Sequence, residues 1–248
     1  MIEPDSFMSH LVELRDRLLR CVIALVVVFG LLFYWARDIY AILAQPLLAS
    51  LPAGGQLIAT EVTAPFFVPI KVTMMAALVI ALPYLLYQTW AFVAPGLYAH
   101  EKKLVAPLII TSTLLFLCGM AFAYFLVFPV VFKFIIKVAP EGVAVMTDIG
   151  KYLDFVLTLF VAFGVTFEVP VAVVILVRMG MVSVAKLREI RPYVIVGAFV
   201  IGAIFTPPDM VSQVMLAVPL WVLYEIGIFV AQWVGKSAAA ETTSDPAA

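Results

Sequence analysis

Six apolar runs constrain this chain more than any other feature: Cys21–Ala36, Phe67–Val93, Leu104–Phe128, Tyr152–Val177, Tyr193–Thr206 and Met210–Val234. A helix needs about twenty apolar residues to cross the hydrocarbon core of a bilayer. Composition agrees, with 65% hydrophobic and 12% charged residues and a mean hydropathy of +1.15. A soluble domain would carry about twice that charge. The reading is all-α: a polytopic membrane protein with six transmembrane helices in one domain, residues 1–235. A small polar tail, residues 236–248, is expected to be disordered in the cytoplasm.

Two runs depart from the norm. The fifth, Tyr193–Thr206, rises only about 21 Å as a helix. It meets the sixth through Thr206-Pro207-Pro208-Asp209, which leaves room only for a tight hairpin. The sixth is interrupted by Glu225. Helices five and six are therefore expected to be short and to thin the bilayer locally.

Basic residues near the span ends set the orientation. Ten of them, including Arg15, Arg17, Arg20, Lys102, Arg178 and Arg191, fall on the side of the N-terminus, and five, including Arg37, Lys71 and Lys151, on the other. Both termini are thus expected in the cytoplasm, with the exported loops Asp38–Phe66 and Pro129–Lys151 forming ordered caps. The first run is an uncleaved span rather than a secretory signal. The charged stretch before it is long and contains Glu13 and Asp16, and no convincing cleavage site follows. A net charge of −1 gives no case for nucleic acid. Cys21 and Cys118 lack metal-ligand spacing, which argues against a zinc site or a structural disulfide.

Glu168 is the costliest residue in the chain. It lies inside the apolar stretch Leu157–Val177, where a carboxylate costs at least ~2.5 kcal/mol on insertion scales. Pro170 removes the N–H that would pair with the carbonyl of Thr166. A buried acid beside a freed carbonyl makes Glu168 a candidate intramembrane functional residue. Pro69, Pro83, Pro107, Pro129, Pro170 and Pro219 lie in or at the edge of spans. Bent helices of this kind are tolerated in membranes, and several together could form a curved, concave wall.

At the N-terminal rim, Leu11, Leu14 and Leu18 share one helical face, and Glu13 and Arg17 stand four apart on another. An interfacial helix with a solvated ion pair would explain this pattern by itself. The first cytoplasmic loop turns at Pro95-Gly96, and Glu101 then opens the third helix, where an acid suits the helix dipole. Together, Glu13 and Glu101 place two carboxylates on one rim, each able to accept a guanidinium in fork geometry. Phe92 nearby could cover the apolar part of the same ligand. Lys71 can snorkel and Asp154 reads as interfacial. Asp209 can cap the sixth helix, and Gln213 can form an interhelical hydrogen bond. Glu225 is intramembrane or interfacial. No catalytic motif and no phosphate loop appears, so the chain does not read as an enzyme and implies no cofactor. Any work it does must draw on an ion gradient or a partner.

Five segments occur in order: His10-Leu-Val-Glu-Leu-Arg-Asp-Arg-Leu18, Ala94-Pro-Gly-Leu-Tyr-Ala-His-Glu101, Phe163-Gly-Val-Thr-Phe-Glu-Val-Pro-Val171, Arg191-Pro-Tyr193 and Thr206-Pro-Pro-Asp209. They resemble the TatC family, the polytopic subunit of the bacterial twin-arginine translocase, from about Phe7 to Gly235. The resemblance implies a cup-shaped protein of the bacterial cytoplasmic (inner) membrane. Such a protein binds twin-arginine signal peptides of folded precursors and moves them across the membrane on the proton-motive force. It would do so with single-span TatA/TatB-type partners and by self-association. By the same resemblance Glu13, Arg15, Phe92 and Glu101 form the signal-peptide site, and Glu168 is the intramembrane acid. Thr206 and Gln213 dock partner helices, and Pro207 and Asp209 belong to the hairpin turn. Thr166 stands where serine is often expected and keeps the hydroxyl. The alternatives are a proton-coupled transporter that relays through Glu168, Asp154 or Glu225, and a scaffold without cargo contact. No internal repeat supports the transporter.

Overall fold

A computed structural model of the chain describes residues 4–50, 58–93, 102–138, 148–205 and 210–243. Among these residues the regular structure is helical, apart from an isolated bridge between Ile58 and Asp148. The helices are α1 (Pro4–Leu32), α2 (Ala36–Ser50), α3 (Ala64–Val93), α4 (Lys102–Phe122), α5 (Phe128–Val138) and α6 (Ile149–Phe167). They continue with α7 (Val169–Arg178), α8 (Val184–Glu189), α9 (Arg191–Phe205) and α10 (Met210–Thr243). A 3₁₀ turn, Phe33–Trp35, joins α1 to α2, and a π-helical turn, Ala123–Val127, joins α4 to α5. Among the described residues, five stretches are long and apolar enough to cross a membrane: Met8–Leu43, Ala64–Val93, Ala106–Phe132, Ile149–Arg178 and Gln213–Trp233. The sixth apolar run is the shorter helix Arg191–Phe205.

The unusual hairpin is as expected in its first helix. α9 has 15 residues, and the sixth run's apolar stretch, at 21 residues, is the shortest of the five long ones. That stretch nevertheless sits in a helix of 34 residues. α10 passes through Glu225 without interruption and continues to Thr243, across positions expected to be a disordered tail. Ala238-Ala-Ala-Glu241 is strong helix-forming sequence, so extending an existing helix through it needs no new nucleus.

The chain divides into two compact units: Met1–Thr113 with Phe128–Thr158, and Leu114–Val127 with Leu159–Ala248. In the first, α3 packs against α1 and α2. Its buried face repeats at helical spacing with small residues prominent, Ala64, Val68, Val72, Ala77 and Ala81. Small side chains let helix backbones approach where there is no water to drive association. Buried Trp90 donates its indole N–H to the hydroxyl of Ser112 on α4 at 3.0 Å. Thr73, fully buried, donates to the carbonyl of Pro69 at 2.7 Å, which satisfies a hydroxyl that has no solvent to turn to. Phe128, Phe132, Tyr152 and Phe155 form an aromatic cluster between α5 and α6.

The second unit closes its helices on glycine. A Cβ on Gly119 would lie 2.5 Å from the carbonyl oxygen of Phe163, and one on Gly164 would lie 2.5 Å from the Phe116 ring. The segment 114–127 and α6 thus meet through reciprocal glycines. Gly227 of α10 likewise seats Pro170 of α7, whose Cα would be 2.9 Å from an added Cβ. Val173, Leu187, Tyr224, Ile228 and Ala231 form the core around that contact, and the Tyr224 hydroxyl donates to the carbonyl of Leu187 at 2.7 Å. Gly180, two residues past the end of α7, has a left-handed φ of 70°. Met181 N–H donates back to Leu176 O at 3.1 Å, closing the C-terminal turn in a way only glycine accepts without strain.

Candidate functional site

Glu13 lies on α1, three residues after His10 and four before Arg17, so helical spacing brings all three together. Arg17 donates from Nε and Nη2 to a single oxygen, Oε1 of Glu13, at 2.8 and 2.7 Å. Its remaining terminal nitrogen, Nη1, donates to Oε1 of Gln88 on α3 at 3.1 Å. Gln88 is buried, at 4% exposure, and donates from Nε2 to the Tyr84 hydroxyl at 2.9 Å. On the other side of Glu13, Oε2 lies 4.0 Å from His10 Nδ1. The His10 ring stacks on Phe92, with centroids 4.4 Å apart and planes 19° apart. The expected solvated ion pair therefore exists, but it is tied through Gln88 to a second helix.

The structure thus brings Glu13 and Phe92 into one site through His10. Arg15 points elsewhere: its guanidinium pairs with Asp16 at 2.9 Å and is 67% exposed. Glu101 lies outside the described residues, as do Thr206, Pro207 and Asp209. Sequence reasoning missed Gln88 and Tyr84. The signal was present, since an amide inside the run Phe67–Val93 is costly, and residues 84, 88 and 92 recur every four on one helical face.

Glu168 is the one residue between α6 and α7. Its backbone stays near helical at φ −77°, ψ −13°, and its N–H bonds to Val165 O at 3.1 Å, one residue tighter than an α-helical bond. Its own carbonyl accepts from Ala172 N–H at 3.0 Å. The proline break is thus a local tightening that the helix absorbs. Both carboxylate oxygens of Glu168 are buried, flanked by buried Thr166, Phe167, Pro170 and Val171.

Between the last two helices, Gln213 Nε2 donates to Phe199 O at 2.9 Å, from α10 to α9. Gly202 permits this approach, because an added Cβ would sit 3.1 Å from the Gln213 side chain and backbone. The interhelical bond expected of Gln213 is thus made within the chain. Glu225 pairs with Arg191 at 2.5 Å, which explains how α10 carries an acid without a break.

A third polar centre lies at the start of α6, where sequence reasoning assigned nothing to Asp148. Thr60 donates to Asp148 Oδ2 from both its hydroxyl, at 2.7 Å, and its N–H, at 2.8 Å. Lys151 N–H donates to Oδ1 at 2.9 Å, and Ile149 N–H bonds to Ile58 O at 2.9 Å. The Thr60 hydroxyl, followed by the backbone N–H groups of Lys151 and Thr60, holds the Asp148 carboxyl down at about 2. Lys71 and Asp154, read separately from sequence, form an ion pair at 2.6 Å beside this staple. Asp148, Lys151, Lys71 and Asp154 line a small cleft of about 130 Å³ with Glu61 and Phe67.

Long apolar helices, the shorter α9 and a polar site built on α1 and α3 define a multi-pass membrane protein. The family described as "Sec-independent protein translocase protein (TatC)" matches residues 9–219. The chain is 58% identical over 231 residues to the TatC protein of Azotobacter chroococcum, covering 91% of each. It is 55% identical over 235 residues to that of Escherichia coli K12, covering 94% of this chain and 91% of that one. A crystal structure titled "Twin Arginine Translocase Receptor- TatC" superposes with a TM-score of 0.80 at 42% identity, covering 90% of this chain and 98% of that one. The chain belongs to the TatC family and is a component of the Sec-independent protein translocase.

Proposed function

We propose that this chain is the receptor that takes the twin-arginine signal peptides of folded precursors, with Glu13 as the carboxylate that receives an arginine. The observation that carries the reading is the partly exposed Glu13 carboxylate with Oε2 turned toward the His10–Phe92 stack. A guanidinium bonds a carboxylate in fork geometry and also stacks on flat rings, so both of its recognisable features meet a partner here. Glu101 supplies the second carboxylate, and Arg15, exposed on α1, faces the peptide's flanks. Both termini lie in the cytoplasm of a bacterium, and the site opens to that side of its inner membrane. Transport runs on the proton-motive force, with single-span TatA/TatB-type partners docked along the α9–α10 hairpin near Thr206 and Gln213. Pro207 and Asp209 take the role of turn residues in this reading. A chain of 248 residues is too small to enclose a path for folded cargo, so self-association into a larger complex follows.

Glu168 serves in this reading as a buried polar contact during transport rather than as a catalytic acid. The direct test of the receptor is binding of a twin-arginine signal peptide to membranes carrying the chain. Charge-assisted hydrogen bonds contribute about 1.5–3 kcal/mol, so Glu13→Gln should weaken binding by about ten- to a hundredfold. Protease accessibility should show normal insertion of the variant. Unchanged binding in both Glu13→Gln and Glu101→Gln removes the carboxylate model.

A further inference from the structure

Arg17 gives Nε and Nη2 to one oxygen of Glu13 and Nη1 to Gln88. That guanidinium is therefore fixed across two helices, because the amide holding it is buried and is itself held by Tyr84. A guanidinium from the chain already sits where a ligand's arginine would go, and it leaves Oε2 as the oxygen nearest the His10–Phe92 stack. We propose that Arg17, clamped by Gln88, is a specificity-determining residue that makes the receptor discriminate arginine from lysine. The proposal rests on the reading that Glu13 receives an arginine of the signal peptide.

Competing charges decide which cation the site prefers. A bare rim carboxylate attracts any cation by an orientation-independent Coulomb term, and a lysine ammonium, a compact point charge, benefits as much as an arginine. Arg17 cancels most of that term before a ligand arrives. What remains is geometric: a free oxygen lone pair on Oε2 and the flat face of the His10–Phe92 stack. A planar guanidinium can use both at once, whereas a strongly hydrated ammonium gains one hydrogen bond and must give up its water. Neutralising the acid thus lowers affinity for both cations and lowers it more for lysine. Gln88 is the positioning partner: without it Arg17 is free to swing off Glu13, and the carboxylate regains its indiscriminate pull.

The experiment compares dissociation constants of a twin-arginine peptide and its twin-lysine counterpart for the assembled receptor complex in native membranes, at one fixed ionic strength. Wild type, Arg17→Gln, Gln88→Leu and Glu13→Gln are measured together. Arg17→Gln is expected to reduce the arginine-over-lysine preference at least about tenfold, chiefly by tightening the lysine peptide. Gln88→Leu keeps every charge and should shift the preference in the same direction by a smaller factor, which guards against misfolding of the charge variant. An unchanged preference in both variants, or an equal loss of affinity for both peptides, overturns the proposal and leaves Arg17 a structural counter-ion. If Glu13→Gln binds the arginine peptide as wild type does, the receptor reading fails, and this proposal with it. A lost preference beside an intact Glu13 dependence supports both.

Discussion

Glu13 and Glu168 are the same side chain in two opposite settings. Glu13 is partly exposed on α1, and it meets a guanidinium, an imidazole and, through Arg17, an amide. Glu168 has both oxygens buried at a one-residue break between α6 and α7. An acid on the rim can exchange partners at small cost, since exposed ion pairs contribute only about 0–1 kcal/mol. A buried acid cannot, because any loss of satisfaction leaves it desolvated. The first setting suits recognition of an arriving cation. The second suits a contact that is fixed and specific.

That contrast can be broken at several points. The largest effect is expected where recognition needs both rim acids. Combined Glu13→Gln and Glu101→Gln should reduce signal-peptide binding beyond detection in an assay that reads single substitutions easily, with insertion intact. Transport should respond to Glu168 differently. Glu168→Leu, which removes every hydrogen bond, should abolish export of a folded precursor, while Glu168→Gln keeps at least about half of it. Equal failure of both would mean that the carboxyl must titrate. Equal success would deprive Glu168 of any part in the cycle.

Packing around the buried acid is expected to be less forgiving than packing around the rim. Gly119→Val places a side chain against the Phe163 backbone, and overpacking of this kind costs about 1–3 kcal/mol. Thermal unfolding in detergent should fall by several degrees. Val12→Ala, on the exposed face of α1, should move it by less than one degree.

The smallest effect concerns the Asp148 staple, remote from both acids in sequence. The folded-state pKa of Asp148 is lowered from 3.8 to about 2, so its contribution is complete above pH 3.8 and is lost as pH falls toward 2. Hydrogen exchange at the Ile149 amide should therefore accelerate across that window, after correction for intrinsic rates. Asp148→Asn should remove the pH dependence. An unchanged wild-type profile would mean that the staple owes nothing to this carboxylate.

Much of this was legible in sequence where the signal is local. The spans follow from run length, the short fifth helix from the spacing between Arg191 and Pro207, and the Glu13–Arg17 pair from an interval of four. The capping role of Asp148 is legible too, as an acid a few residues ahead of the fourth apolar run, though Glu168 is the more conspicuous signal. What sequence could not supply were partners on another helix. Nothing in α1 names Gln88, nothing in Lys71 names Asp154, and nothing in Glu225 names Arg191. Each pairing depends on which helix faces pack, and apolar faces in lipid look alike. The helical continuation of α10 past Gly235 went unread for a different reason, since small polar composition suggests disorder even when a preceding helix can extend through it.

The most direct test of the account is site-specific photocrosslinking with a photoreactive residue at Phe92, the aromatic that stacks on His10 beside Glu13. In native membranes, a twin-arginine precursor should crosslink at that position. The adduct should fall to background when the precursor's arginines become lysines, and also when Glu13→Gln is added to the receptor. Equal crosslinking of arginine and lysine precursors, or an adduct indifferent to Glu13→Gln, would contradict the claim that this rim carboxylate reads the signal.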